Sequence, residues 1–367
     1  MTRFRPTVVE VDLDAVRHNV RLLASPGVEL LAVVKADGYG HGDAEVSRAA
    51  IEAGASRLGV ALVEEGIGLR ERGIVAPVLV LSELPPGSEK DALAADLTPT
   101  VYTEAGLDAL ADAAPATGRP VAVHMKLDTG MHRVGVWPPE RATTFARRIV
   151  DLGLEPEGLW THFADSEQDA AGTLEQLRRF LEARDLLLAE GIRFAALHAA
   201  NSGATIRLPE THLDLVRPGA AIYGLDPGGG IGPAFGLRPA LTLRSAVSMV
   251  KRVPAGERLS YGGRYVLERD RTVATIPVGY ADGFPRTAVG ADVLIRGRRY
   301  PVAGTITMDQ LLVDCGDDEV AAGDEVVLIG VQGDERVTIE ELAARSGTIG
   351  RAVATGLGER VPREYVG

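Results

Sequence analysis

An apolar run, Leu30-Leu31-Ala32-Val33-Val34, ends in Lys35 and is followed by a glycine-rich stretch, ADGYGHG, that carries Tyr39. Desolvating an ammonium is costly, so most lysines stay at the surface. A lysine that closes a buried strand either reaches for solvent or is an amine kept partly dry. A dry amine gives up its proton more readily and can form a Schiff base with an aldehyde cofactor. Other polar groups follow apolar runs in the same way: Arg133 in KLDTGMHRVG, His162 in WTHFADS, Asn201 and Ser202 in HAANSGAT, and Arg217 in LDLVRPGAAIYG. Each has an ordinary explanation by itself, His162 as a satisfied core histidine and Arg217 as a salt-bridge partner. Their shared position behind apolar runs is the more specific signal. Backbone donors near Ser202 and Gly219-Ala220 suit a dianion, because glycine permits close approach to the main chain. The hydroxyls of Ser202 and Tyr39 add to them. The set fits a phosphorylated aldehyde whose carbon Lys35 would hold.

Such groups converge only if the strands before them lie side by side. The runs that read as strands are Leu30–Val34, Arg57–Val60, Val78–Leu81, Leu97–Val101, Val121–Leu127, Leu154–Trp160, Phe194–His198 and Leu213–Val216. Helical patterns lie between most of them. One is capped by Asp12, with Leu13, Val16, Val20 and Leu23 on one face; another spans Thr173 to Glu190; a third begins at Pro138-Pro139. The pattern predicts an α/β chain with an N-terminal (β/α)8 TIM-like barrel over residues 12–236, with its chemistry at the carboxyl ends of the strands. An open doubly wound sheet shares the alternation, but no dinucleotide glycine fingerprint follows the first strand.

After Gly236 helical periodicity nearly vanishes. The runs Leu241–Val250, Thr272–Val278, Asp292–Ile295 and Glu325–Ile329 are punctuated by glycine and proline. They predict a C-terminal all-β domain over residues 237–367, joined by residues 1–11, in which only Thr338–Arg345 reads as clearly helical. The cluster Gly228–Gly232 lacks a following lysine and reads as a loop or hinge, not a phosphate cradle.

A length of 367 residues suits two domains. The net charge of −12 argues against nucleic acid or an anionic membrane as partner. The single cysteine, Cys315, excludes an intramolecular disulfide and fits a reducing compartment. No apolar run reaches membrane-spanning length, and charges interrupt MTRFRPTVVEVDLDAV, so the expected location is cytoplasmic.

The motifs AVVKADGYGHG, KLDTGMHRVG, THFADS, ANSGA, VRPGAAIYG, LSYGG, VGYADG, GTITMDQ and ERVPR occur in one order along nearly the whole chain. In them the chain resembles the alanine racemases, pyridoxal-phosphate enzymes built from a barrel and a β-domain. The resemblance implies pyridoxal 5'-phosphate as cofactor and a small-molecule amino-acid substrate. It implies racemisation of L-alanine and D-alanine, supplying D-alanine for peptidoglycan synthesis, by a homodimer with shared active sites. It makes Lys35 the Schiff-base lysine and one of two acid–base catalysts. Tyr261 is the second, contributed by the β-domain of the other subunit. Arg217 faces the pyridine nitrogen, and His162 stacks on or lies beside the ring and bonds toward Arg217 and Tyr261. Arg133 and the Met308 backbone hold the substrate carboxylate. Tyr39, Ser202, Gly219 and Ala220 take the phosphate, and Asn201 joins the cofactor-binding set. Tyr280 lines the entrance, with Lys126 and Asp309 in support. A guanidinium stays protonated and gives the ring nitrogen no proton, so the ring is a weaker electron sink than one facing a carboxylate.

Four positions depart from the family pattern or leave a modification open. Glu359 stands where a phosphate-binding tyrosine is common, which would open that segment. His132 replaces a glycine before Arg133, and Thr307 replaces a cysteine before Met308. Lys126 matches a lysine that is often carbamylated. The rival readings are a racemase of another amino acid such as serine, a same-fold decarboxylase, and a non-catalytic cofactor-binding protein. A decarboxylase would pair the ring nitrogen with a carboxylate and use a β-domain cysteine. Here the first position is Arg217, and Cys315 lies outside the matching motif.

Overall fold

A computed structural model describes residues 4–367 and divides into two compact units. One comprises residues 15–38 and 43–238. The other comprises the chain up to Asp14, the short segment Tyr39–Gly42, and Pro239–Gly367.

In the first unit eight parallel strands form one sheet. Glu29–Val33, Arg57–Val60, Val78–Glu83, Leu97–Val101, Ala122–Lys126, Glu155–Trp160 and Ala196–His198 are neighbours in chain order, and Leu215–Val216 lies beside the first. The sheet curls until its ends nearly meet. There the Asp214 N–H donates to the Leu197 carbonyl (3.1 Å) and the Arg217 N–H to the Ala200 carbonyl (2.9 Å). This is the expected (β/α)8 barrel. Its walls are β-branched and leucine side chains buried on both sides, such as Leu31, Leu58, Val60, Val80 and Leu159. Helices fill the crossovers. The longest, Ala170–Ala189, starts three residues before the expected Thr173, because the Asp169 side chain accepts the Gly172 N–H at 2.8 Å and caps it there. At Pro138-Pro139 the chain first makes a 3-10 turn, Pro139–Arg141, and the α-helix runs from Ala142 to Asp151. The Gly228–Gly232 stretch is a loop tied to Asp226, whose carboxylate accepts the Gly230 and Gly232 N–H groups (2.7 and 2.8 Å) and leads into a short helix, Ile231–Phe235.

The second unit is built on a seven-stranded sheet. Val8–Asp12 lies between Leu241–Ala246, antiparallel to it, and Arg363–Val366, parallel to it. A three-stranded sheet joins Met249–Val253, Arg271–Ile276 and Leu311–Asp314. Two expectations need correction here. The run Leu241–Val250 is two strands in two sheets. The chain turns at Val247 and Ser248, whose N–H groups bond to Asp324 and Thr275 (both 2.9 Å). Alternation continues across the corner, so periodicity alone does not reveal it. Besides Ile339–Ser346, whose Thr338–Glu341 capping box is legible in the sequence, a second helix spans Gly350–Gly356. It is seven residues long, with glycine at both ends, too short for a helical period to show. Among the described residues no helix is long and apolar enough to cross a membrane.

Candidate active site

Lys35 follows the first barrel strand at its carboxyl end, and the backbone beyond it is left-handed. The φ angles are 53° at Ala36, 52° at Asp37, 58° at Gly38, 54° at Tyr39 and 81° at Gly40. Each non-glycine residue in this region costs roughly 1–2 kcal/mol, so the turn must be held from outside. Glu65 does so from the helix Val63–Glu71. Its carboxylate accepts the Ala36 N–H at 2.7 Å, and its other oxygen accepts the Ala61 and Leu62 N–H groups at 2.8 and 3.1 Å. Gly38 donates to the Val34 carbonyl at 2.9 Å. The turn ends at a residue that must be glycine, since a Cβ at Gly40 would stand 2.2 Å from the Ala354 carbonyl oxygen. Burial pushes the Tyr39 phenol up from its ordinary value, against a smaller opposing effect of Arg351.

The barrel mouth is crowded with positive charge. Burial first, then the Arg133 charge, lowers the Lys35 ammonium from its ordinary value, against an opposing pull from Glu65. Burial and the charges of Arg133 and Arg217 bring Lys126 down to about 7, with Asp128 opposing. The Trp160 indole takes the Lys126 ammonium at 4.5 Å and the Arg217 guanidinium at 4.7 Å from its ring centre, while His198 stacks on it at 5.6 Å. Arg217 is buried, which lowers it to about 9, so it remains protonated at neutral pH. Its guanidinium donates to the Thr161 carbonyl (2.7 Å), the Ala199 carbonyl (3.0 Å) and His198 Nδ1 (3.1 Å), and lies 3.4 Å from His162 Nδ1. Burial first, then Arg217, Lys126, Arg133 and Lys35, hold His162 well below the ordinary imidazole range, so it is neutral. Arg133 itself is solvent-exposed in this chain.

Ser202 begins a short helix, Ser202–Arg207, and its hydroxyl accepts the N–H groups of Gly219 (3.0 Å) and Ala221 (3.2 Å). Ser202, Gly219 and Ala220 are therefore together. Asn201 beside them is the helix cap. Its side-chain oxygen accepts the Ala204 N–H at 3.1 Å and the Ser166 hydroxyl at 2.6 Å. His132, with φ of 55°, is turned away by Asp128, which accepts its N–H at 3.1 Å, and its ring meets Trp137 edge-on at 4.7 Å.

The remaining expected residues belong to the other unit. Tyr261 is 74% exposed and is raised on a turn where Ser260, Gly262 and Gly263 all have positive φ. It lines a cleft of about 480 Å³ with Tyr280, Arg286, Thr305, Ile306 and Thr307. The Tyr280 and Ala281 N–H groups bond to the Thr307 and Met308 carbonyls (both 3.0 Å). Gly279 permits this, since a Cβ there would meet the Met308 carbonyl oxygen at 2.2 Å. Asp309 accepts from Arg360 at 2.8 Å. Glu359 is exposed, and the segment around it is anchored by the Gly358 N–H to the Asp282 carbonyl (3.0 Å) and by Arg363, which donates to the Leu357 carbonyl at 2.6 Å. Cys315 is buried, which pushes its thiol up to about 12.

Four residues at or under the mouth are missing from the expected site: Glu65, His124, Trp160 and His198. Trp160 and His198 close their strands, alternation marks His124, and Glu65, on a helix, has no such signal. His124 and Lys126 are two apart on one strand, and so face the same side of it.

Family models described as the N-terminal and C-terminal domains of alanine racemase match residues 11–227 and 240–365. An alanine racemase of Symbiobacterium thermophilum is 47% identical over 369 residues, covering 99% of this chain and 98% of that one. The crystal structure of the alanine racemase from D-cycloserine-producing Streptomyces lavendulae superposes with a TM-score of 0.94 at 40% identity, covering 100% of this chain and 98% of the other. That of Bacillus anthracis, solved with bound L-Ala-P, gives 0.94 at 37% identity, covering 100% and 96%.

Proposed function

The chain belongs to the alanine racemase family, an isomerase class, and from that membership we propose that it interconverts L-alanine and D-alanine with pyridoxal 5'-phosphate by a two-base mechanism. The observation that carries the reading is the half-dry Lys35 amine set among Arg133, Lys126 and Arg217. The donor set fits the cofactor. Arg217 makes its hydrogen bonds to carbonyls and imidazoles rather than to a carboxylate, so the mouth keeps a positive field for a phosphate and a substrate carboxylate. Ser202 with the Gly219 and Ala221 N–H groups, and Tyr39, would hold the phosphate, with Ala220 and Asn201 adjoining. Arg217 would face the ring nitrogen and His162 the ring.

When bound, the cofactor supplies an aldehyde for the amine and a ring that draws electrons from the substrate α-carbon. Lys35 moves a proton on one face of that carbon. The Tyr261 hydroxyl, brought by a second copy of the chain, moves one on the other face. One group takes the α-proton as the other returns one, so protons balance and the substrate need not turn over. Arg133 and the Met308 backbone orient the carboxylate, Tyr280 lines the entrance, and Lys126 and Asp309 brace their neighbours. The full reading is a cytoplasmic homodimer that supplies D-alanine for peptidoglycan synthesis, with the barrel (12–236) carrying the lysine and the β-domain (237–367, with 1–11) the second base.

Purified protein with the cofactor is expected to show the visible absorbance of a lysine-bound aldehyde and to form D-alanine from L-alanine. Borohydride should then fix the cofactor to the Lys35 peptide, as read by mass spectrometry. Cofactor bound without alanine turnover would redirect the reading to another amino acid; no bound cofactor would overturn it.

A further inference from the structure

Beneath the mouth, the barrel interior contains a row of polar side chains that the proposed chemistry does not use. Arg217 Nη1 is 3.1 Å from His198 Nδ1, and His198 Nε2 is 2.9 Å from His124 Nδ1. His124 Nε2 faces Glu157 Oε2 at 3.5 Å and has no closer partner. Glu157 Oε1 in turn accepts from Arg57 at 2.7 Å, and Arg57 bonds to Glu29 at 3.1 Å. Arg57 and Glu29 are the first residues of their strands, so the row runs from the carboxyl ends of the barrel strands to their amino ends.

We infer that His198 and His124 form a one-way hydrogen-bond relay, and that Glu157 is a positioning residue for Arg217 acting through it. The direction follows from the ends. A guanidinium only donates, so His198 Nδ1 must accept and its proton must sit on Nε2. That N–H donates to His124 Nδ1, which places the second proton on His124 Nε2, pointing at a carboxylate that only accepts. A reversed relay or a protonated imidazole would set two N–H groups against each other, at the Arg217 contact or between the two rings. Burial holds both rings below the ordinary imidazole range; at His198 the Arg217 charge adds to it, and at His124 Glu157 opposes it. Glu157 stays ionised, held at about 2 by the His124 contact and by Arg57 against the effect of burial.

Two local features accommodate this row. The pairing of Ala122–Lys126 with Glu155–Trp160 shifts after Val123, so that Pro156 and Gly158 oppose successive residues and Glu157 is the extra one. Such a bulge re-aims a side chain. The next residue, Gly158, leaves room for the imidazole: a Cβ there would stand 2.3 Å from His124 Nδ1. The consequence is a guanidinium whose orientation is fixed from below, with its second amino group free to be shared between backbone carbonyls and His162. That Arg217 so held faces a cofactor ring rests on the proposed function; the tautomers do not.

The test is long-range proton–nitrogen NMR of the full chain labelled in histidine, with His124→Gln and His198→Gln supplying assignments. Both rings are expected as neutral Nε2–H tautomers at neutral pH. In Glu157→Gln, whose amide can donate as well as accept, the His124 signals should move toward a mixture of tautomers and the His198 signals should follow. With cofactor, the visible band should shift in that variant, with kcat down about tenfold and KM unchanged. An Nδ1–H or charged form at either ring in the parent protein, or unchanged histidine signals in Glu157→Gln, overturns the relay. The expected tautomers in a protein that binds no cofactor would leave the relay standing and refute the reading of the site.

Discussion

The Glu65 carboxylate accepts the Ala36 N–H at 2.7 Å, one residue past Lys35, from a helix that begins almost thirty residues later. One oxygen pins the left-handed turn, and the other takes two N–H groups at the start of that helix. Removing the carboxylate leaves all three donors without it and releases a strained turn. Glu65→Ala is therefore expected to cost about 1–3 kcal/mol in urea unfolding, with Glu65→Gln retaining part of it. An unchanged midpoint in Glu65→Ala would show that the turn holds itself.

Lys126 makes stability depend on pH in a defined direction. Its folded value is about 7, set by burial and then by Arg133 and Arg217, against 10.5 for a free lysine. Between those values the unfolded chain binds a proton that the folded chain does not. Its contribution is therefore most unfavourable below about pH 7 and is relieved as pH rises toward 10.5. Lys126→Met should stabilise the cofactor-free chain at about pH 6 by an amount on the order of a few kcal/mol, and should do so much less at about pH 10. Equal effects at both would contradict a depressed value.

The same amine is partly unprotonated at neutral pH and open to carbon dioxide. Labelled bicarbonate should give a carbamate carbonyl resonance in the parent protein that is missing in Lys126→Met. A spectrum with no such resonance removes the carbamate from the support of Arg133.

If Tyr261 is the second base, Tyr261→Phe should lower racemisation by about 10²–10⁴-fold. Lys35 should still exchange the α-proton of one enantiomer with solvent. Racemisation at the parental rate would leave the two-base assignment without support. Mixing this variant with an inactive Lys35→Ala chain should restore part of the activity if each site draws on two copies.

Cys315 is buried with its thiol pushed up to about 12, so it holds its proton at neutral pH. An aromatic disulfide reagent at about pH 8 should label it only after unfolding. Rapid labelling of the folded chain would return a reactive cysteine to consideration, as a decarboxylase reading requires.

Local patterns carry information only about neighbours along the chain. The apolar runs before Lys35, Arg133, His162 and Arg217 each announce a strand, and eight of them in alternation with helices announce a barrel. Residues 1–11 read as joining the later domain because they precede the barrel, and Val8–Asp12 pairs there with Leu241–Ala246. Asp169 and Thr338 are caps whose bonding partners lie three residues away, so the helices they start were readable to within a few residues. The sequence by itself therefore determined the barrel strands, their order, and that Lys35, His162 and Arg217 follow them, but not the corner at Val247 or the helix Gly350–Gly356. It did not determine the left-handed turn after Lys35, because alanine, aspartate and tyrosine disfavour it and the carboxylate that compensates comes from another helix. Nor did it determine the Arg217–His198–His124–Glu157 row. His198, His124 and Glu157 stand on three different strands and Arg217 just past a fourth, and no spacing relates them until barrel closure turns them toward one another, after which each proton has only one place to sit.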